Sequence, residues 1–134
     1  MGAVRNCVRD AGLERTAVAG DGWLANPRIT VSAVDDAQVL GAAGIAGGIA
    51  QFTTLTANRI VTTDTAAAIL AALPQLEDGD CYPFLVSNVD ASHKVTLAGG
   101  ASVTASGSLD VLLNTHRFFL IRRTSSTTVD LIGL

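Results

Sequence analysis

The sequence predicts a mainly β protein: an antiparallel β-sandwich or small barrel with one short α-helix at about residues 64–73 and an extended N-terminal arm. Three observations predict it. Short apolar stretches follow one another at roughly 8–12 residue spacing through the second half, each bounded by turn residues, which is the pattern of a sandwich or barrel. One segment, "TTDTAAAILAALP" (62–74), carries a helical stripe instead. Residues 1–28 show no strand pattern and read as an arm, leaving 29–134 as a single β-rich domain.

The chain has 134 residues, 49% of them hydrophobic and 16% charged. The usual charged share is about 25%. So little charge argues against disorder and leaves a flat Ala, Thr, Ser and Gly exterior suited to lying against another protein. The net charge of −3 gives no electrostatic footprint for nucleic acid. Lys94 is the only lysine, and arginine is the residue of fixed bidentate pairs. "MGAVRNCVRDAGLER" carries charges where a secretory signal needs an apolar core, so no signal peptide is expected. "VLGAAGIAGGIA" (39–50) is glycine-broken and falls short of the ~20 residues of a membrane span.

In the arm, Val4, Cys7, Val8 and Ala11 fall on one helical stripe, with Arg5 and Arg9 off it. So short a helix needs something to dock on. Trp23, beside Gly-Asp-Gly, either folds back onto the domain or anchors on a partner. "RITVSAV" (28–34) alternates as a half-buried strand. In 41–63, the Gly/Ala-rich first part reads as a loop or a closely packed segment. The Thr-rich second part is β-like, with Phe52, Leu55, Ile60 and Val61 as its bulky members. In the predicted helix Thr63 or Asp64 can cap the N-terminus. Ala66, Ile69, Leu70 and Leu73 form its stripe, and Pro74 ends it.

After the "QLEDGD" turn every signal is β. "CYPFLVSN" puts Tyr82, Phe84 and Val86 on one face, and Pro83 points to an edge or a strand start. Val95 and Leu97, Val103, and Leu109 with Val111 and Leu113 mark further strands. "RFFLIRR" sets Phe118, Leu120 and Arg122 against Phe119, Ile121 and Arg123, and "RFFLIRRTSSTTVDLIGL" reads as a closing hairpin. No internal repeat is evident.

No constellation carries chemistry. "GAAGIAGGIA" lacks the Lys-Ser/Thr of a phosphate-binding loop. His93 and His116 fall in predicted turns without further ligands at metal spacing. Cys81 enters an apolar strand and reads as core, and Cys7 reads as a small hydrophobe of the arm. "EDGD" reads as a solvated acidic turn and lacks a long calcium loop. Arg122 and Arg123 point to opposite faces, one of them pairing with Asp110 or Asp130. No catalytic residue, cofactor or metal is therefore expected.

From about residue 60 onward, "TTDTAAAILAALP", "DGDCYPFLVSNVDASHKVTLAGGASVT" and "NTHRFFLIRRTSSTTVDLIGL", in that order, resemble the β-rich structural modules of tailed bacteriophages. Such modules occur in head decoration (cement) proteins and in fibres or tail-associated proteins. The resemblance implies a virion protein without enzymatic activity. It implies a homotrimer on the outer surface of the head, assembled in the host cytoplasm and bound to the major capsid protein. No nucleic-acid or membrane partner is implied. Val4, Arg5, Val8, Arg9 and Trp23 are the expected capsid-docking residues. The segment 29–60 lies outside the resemblance and is expected to extend the sandwich or to mediate trimer contacts. The alternative is a head-fibre or tail-associated receptor-binding module, against which the 4% aromatic content counts.

Overall fold

The computed structural model describes residues 28–32 and 38–134. In chain order these form β1 (Arg28–Ser32), β2 (Gln38–Leu40), α1 (Ala42–Ala46), β3 (Gly48–Phe52), β4 (Arg59–Thr63) and α2 (Ala66–Ala72). They continue as β5 (Cys81–Asn88), β6 (Val95–Ala98), β7 (Val103–Gly107), β8 (Asp110–Val111), β9 (Thr115–Arg123) and β10 (Val129–Gly133). The protein is mainly β, as expected, and its strands form two sheets. The larger has the order β1-β3-β5-β9-β10-β7 and the smaller β2-β4-β6-β8.

From β1 to β6 the chain alternates between the two sheets. Each return lies parallel beside the strand before it: β1, β3 and β5 in the larger sheet, β2, β4 and β6 in the smaller. The result is a coil of three successive turns. The remaining strands close it differently. β9 runs antiparallel on β5, β10 antiparallel on β9, and β8 antiparallel on β6. β7 joins the far side of β10 in parallel. The expected hairpin is therefore present as β9–β10, but β7 forms the edge beyond it.

The antiparallel pairing read from the sequence thus holds for β5–β9, β9–β10 and β6–β8 and is corrected for the other pairs. The reason is geometric. Alternation along a strand reports which face is buried, and it carries no information on the direction of the neighbour. Parallel neighbours need a long crossover, and here the crossover from β1 to β3 passes through β2 in the other sheet. Segment 29–60 accordingly extends the β body, supplying the coil's first two turns.

Inward-facing side chains of both sheets share one core. Phe52, Phe84, Val86, Phe119, Ile121 and Leu131 from the larger sheet meet Val61, Val95, Leu97 and Val111 from the smaller, all at most 1% exposed. The alternation read in "CYPFLVSN" is the observed one: Tyr82, Phe84 and Val86 are buried. Cys81 therefore falls on the outer face and is exposed with a free thiol, which corrects its reading as core. Pro83 lies in a central strand and not at an edge. The fold accommodates it because pairing of β5 with β3 begins only at Leu85.

The α2 helix forms as its stripe predicts, with Ala66, Ile69 and Leu73 buried against the core. Its cap is Thr65, whose hydroxyl accepts from the Ala68 N–H at 3.2 Å, and not Thr63 or Asp64. Those two are occupied elsewhere. Asp64 accepts from the Ala42 N–H at 3.2 Å and from the Thr65 N–H at 2.9 Å. Thr63 accepts from the Gly100 N–H at 3.0 Å. The Gly/Ala-rich stretch is a second helix, α1, with Gly44 and Ile45 buried, followed directly by β3.

Candidate interaction surface

The second face of the larger sheet carries exposed and half-buried side chains. Because neighbouring residues in register share a face, the strand pairings define rows across it. Ile29, Ile49, Leu85 and Phe118 stand side by side on β1, β3, β5 and β9. Leu134 continues the row, its N–H donating to the Phe118 carbonyl at 3.2 Å. Ile29 is 54% exposed, Phe118 46% and Leu134 58%. A second apolar row, Pro83, Leu120 and Ile132, lies beside the first.

Polar rows flank this apolar band. On one side stand Gln51, Ser87 and His116. On the other are Cys81, Arg122, Asp130 and Thr104. Arg122 pairs with Asp130 at 3.7 Å, one of the two acidic partners read from the sequence. Arg123 points the other way, as expected, and donates to Asp78 at 2.8 Å and to the Leu76 carbonyl at 2.8 Å. Asp78 of the "EDGD" turn is therefore an ion-pair partner. His116 lies in β9 and not in a turn, and its Nδ1 is 2.9 Å from the Ser87 hydroxyl. Ser87 is only 4% exposed, so this contact ties two strands and does not present an oxygen to a substrate.

Two further carboxylates hold loops. Asp90 accepts from the backbone N–H groups of Leu55, Ser92 and His93 at 3.0, 2.8 and 2.8 Å. These donors, that of Leu55 foremost, hold its pKa below the ordinary 3.8. Asp110 accepts from the Thr96 hydroxyl at 2.6 Å and from Lys94 Nζ at 2.9 Å, and its pKa is likewise lowered, with the Thr96 hydroxyl the larger cause. Both read as fasteners of the coil. Among the described residues, no three His, Cys, Asp or Glu side chains converge on a possible metal position. No helix among them is long and apolar enough to cross a membrane.

Val4, Arg5, Val8, Arg9, Trp23 and Cys7 lie outside the described residues. The apolar band was not singled out in the sequence, although a signal for it is there. "RFFLIRR" and "VDLIGL" are apolar at both alternating sets of positions, and strands of that kind are covered on both faces. Fold and surface together define a mainly β, two-sheet protein with an apolar outer sheet face. No protein-family model, curated protein or solved structure matches the chain significantly.

Proposed function

We propose that this chain is a non-enzymatic decoration (cement) protein of a tailed-phage head, binding the outer surface of the capsid as an oligomer and stabilising the shell. The observation that carries the reading is the broad apolar sheet face of a chain with only 16% charged residues. Such a surface suits permanent contact with other protein. The resemblance of residues from about 60 onward to phage structural modules supplies the class of partner, the major capsid protein.

The mechanism is avidity. A closed shell repeats the same junction many times. An oligomer that engages several subunits makes its later contacts intramolecularly, and the junction then resists separation. The N-terminal arm, with Val4, Arg5, Val8, Arg9 and Trp23, is the proposed docking element, and the homotrimer the proposed oligomer.

Co-sedimentation of the purified protein with assembled shells tests the reading. The full chain is expected to pellet with shells at a copy number matching the shell's repeated sites. A chain lacking residues 1–28 is expected to stay in the supernatant. A full chain that never pellets with shells, or one present at only a few copies per particle, would instead favour a fibre or tail-associated role.

A further inference from the structure

We propose that β7, an edge strand of the larger sheet, pairs with β7 of a second copy of this chain, antiparallel about Ala105, so that one sheet runs through both copies. The inference goes beyond the decoration reading and does not depend on it. The contact is two-fold: it joins chains in pairs and, where the proposed trimer forms as well, trimers in pairs.

The first ground is the direction of the free backbone groups. The Val129 N–H donates to the Ser102 carbonyl at 3.3 Å and the Ser108 N–H to the Gly133 carbonyl at 3.2 Å. In this parallel ladder the even-numbered amides of β7 therefore face β10, and the odd-numbered ones face away from it. The Val103 N–H is taken by the Gly100 carbonyl at 3.1 Å. The Val103 carbonyl and the N–H and carbonyl groups of Ala105 and Gly107 are engaged by no other described residue. Such a row is a template for another strand.

The second ground is the lack of a guard. Sheet edges are ordinarily blunted by Lys, Pro, shortness or a covering group. One edge of the smaller sheet is closed in this way. Its strand β8 has two residues, and the Asp110 and Val111 carbonyls accept from Arg117 Nε at 2.8 Å and Asn88 Nδ2 at 3.2 Å. By contrast β7 has five residues, "VTASG", with no charge and no proline, and Thr104, Ser106 and Gly107 are exposed. The charge beside it in register, Asp130 next to Thr104, is already paired with Arg122 at 3.7 Å.

The third ground chooses a second copy as the occupant. Set against itself about Ala105, β7 places Val103 opposite Gly107, Thr104 opposite Ser106 and Ala105 opposite Ala105. The bulkiest side chain meets the empty position, and no charge meets a like charge. Ala105 exchanges both of its bonds with Ala105 of the second copy, and each Gly107 N–H meets the other copy's Val103 carbonyl. Thr104 and Ser106 then form the non-hydrogen-bonded pairs, with Cα atoms about 4.5 Å apart, where side chains lie closest and Thr–Ser hydroxyls bond across strands. On the inner face Val103 and Ala105, already packed on the core and only partly buried, lose remaining exposure.

Size-exclusion chromatography with light scattering, on the full chain across a concentration series, decides the matter. The wild-type protein is expected to reach two chain masses, or six where the trimer contact also forms. Ala105→Pro removes an N–H that makes no bond among the described residues, a substitution that an edge strand tolerates. With its fold checked by circular dichroism, it is expected at half the wild-type mass. Should it fail to fold, Thr104→Lys combined with Ser106→Lys, both at exposed positions, provides the same readout by setting lysine opposite lysine. Ile60→Lys, a control at a 61% exposed residue of the smaller sheet, is expected to keep the wild-type mass. A wild type that stays at one or three chain masses overturns the proposal and leaves the decoration reading to the co-sedimentation. It is equally overturned if the folded β7 variants keep the wild-type mass, or if Ile60→Lys dissociates as they do.

Discussion

Phe84 on β5 and Phe119 on β9 are opposite each other in register, their ring centroids 5.7 Å apart at an interplanar angle of 24°, and both are fully buried. The pair lies where the parallel coil meets the antiparallel hairpin. Removing one ring opens a cavity that a close-packed interior closes only in part. Phe119→Ala is expected to lower stability by about 3–5 kcal/mol, measured by urea unfolding. A loss under ~1 kcal/mol would mean that the coil and the hairpin are not held together through this contact.

Asn88 is the polar counterpart of that junction. It is fully buried, and its Nδ2 donates to the carbonyls of His93, Val111 and Leu112 at 2.8, 3.2 and 3.3 Å. Its Oδ1 accepts from the Asp90 N–H at 3.0 Å. Asn88→Leu leaves these backbone groups without their partner and is expected to cost about 1–3 kcal/mol or more. Thr104→Ala, at an exposed position, serves as the control, expected within about 0.5 kcal/mol of wild type.

Two glycines separate close approach from mere presence. A Cβ on Gly100 would strike the backbone carbonyls of Thr63 and Asp64, where β6 leads past the start of α2, whereas a Cβ on Gly41 meets nothing within 4 Å. Gly100→Ala is therefore expected to destabilise by about 1–3 kcal/mol or more, the usual cost of overpacking. Gly41→Ala is expected to be near neutral in the same thermal melt.

Acid should loosen the loops before the core. Asp90 has its pKa lowered below 3.8 in the fold, chiefly by the Leu55 N–H, and Asp110 likewise by the Thr96 hydroxyl. A depressed carboxylate pKa contributes stability that is present above the unfolded value and lost as pH falls through the folded one. Stability is therefore expected to be flat above the ordinary carboxylate range and to fall below it. Asp90→Asn should be less stable at neutral pH and show a shallower acid decline, as read by denaturant midpoints across a pH series. An unchanged decline would show that Asp90 does not contribute to it.

Much of the local structure was legible in the residues. The stripe Ala66, Ile69 and Leu73 places α2, and the alternation of Tyr82, Phe84 and Val86 sets which side of β5 is buried. The apolar band was half legible. Both faces of "RFFLIRR" are apolar, yet only register shows that Phe118 lines up with Leu85 and Ile29. Asp64 and Thr63 looked like helix caps because their chemistry suits that role. Their actual partners, Ala42 and Gly100, are distant in sequence.

What the sequence by itself determined is the mainly β character, the place and buried face of α2, and the buried face of β5 at Tyr82, Phe84 and Val86, because propensity and periodicity act within a few residues. Only the tertiary structure decided that β1 to β6 wind as a parallel coil. The spacing between equivalent positions changes from turn to turn: Arg28 pairs with Gly48, but Ile49 pairs with Leu85, since α2 is inserted between β4 and β5. No sequence period survives such an insertion, and strand direction is set by hydrogen bonds between segments that local pattern never compares.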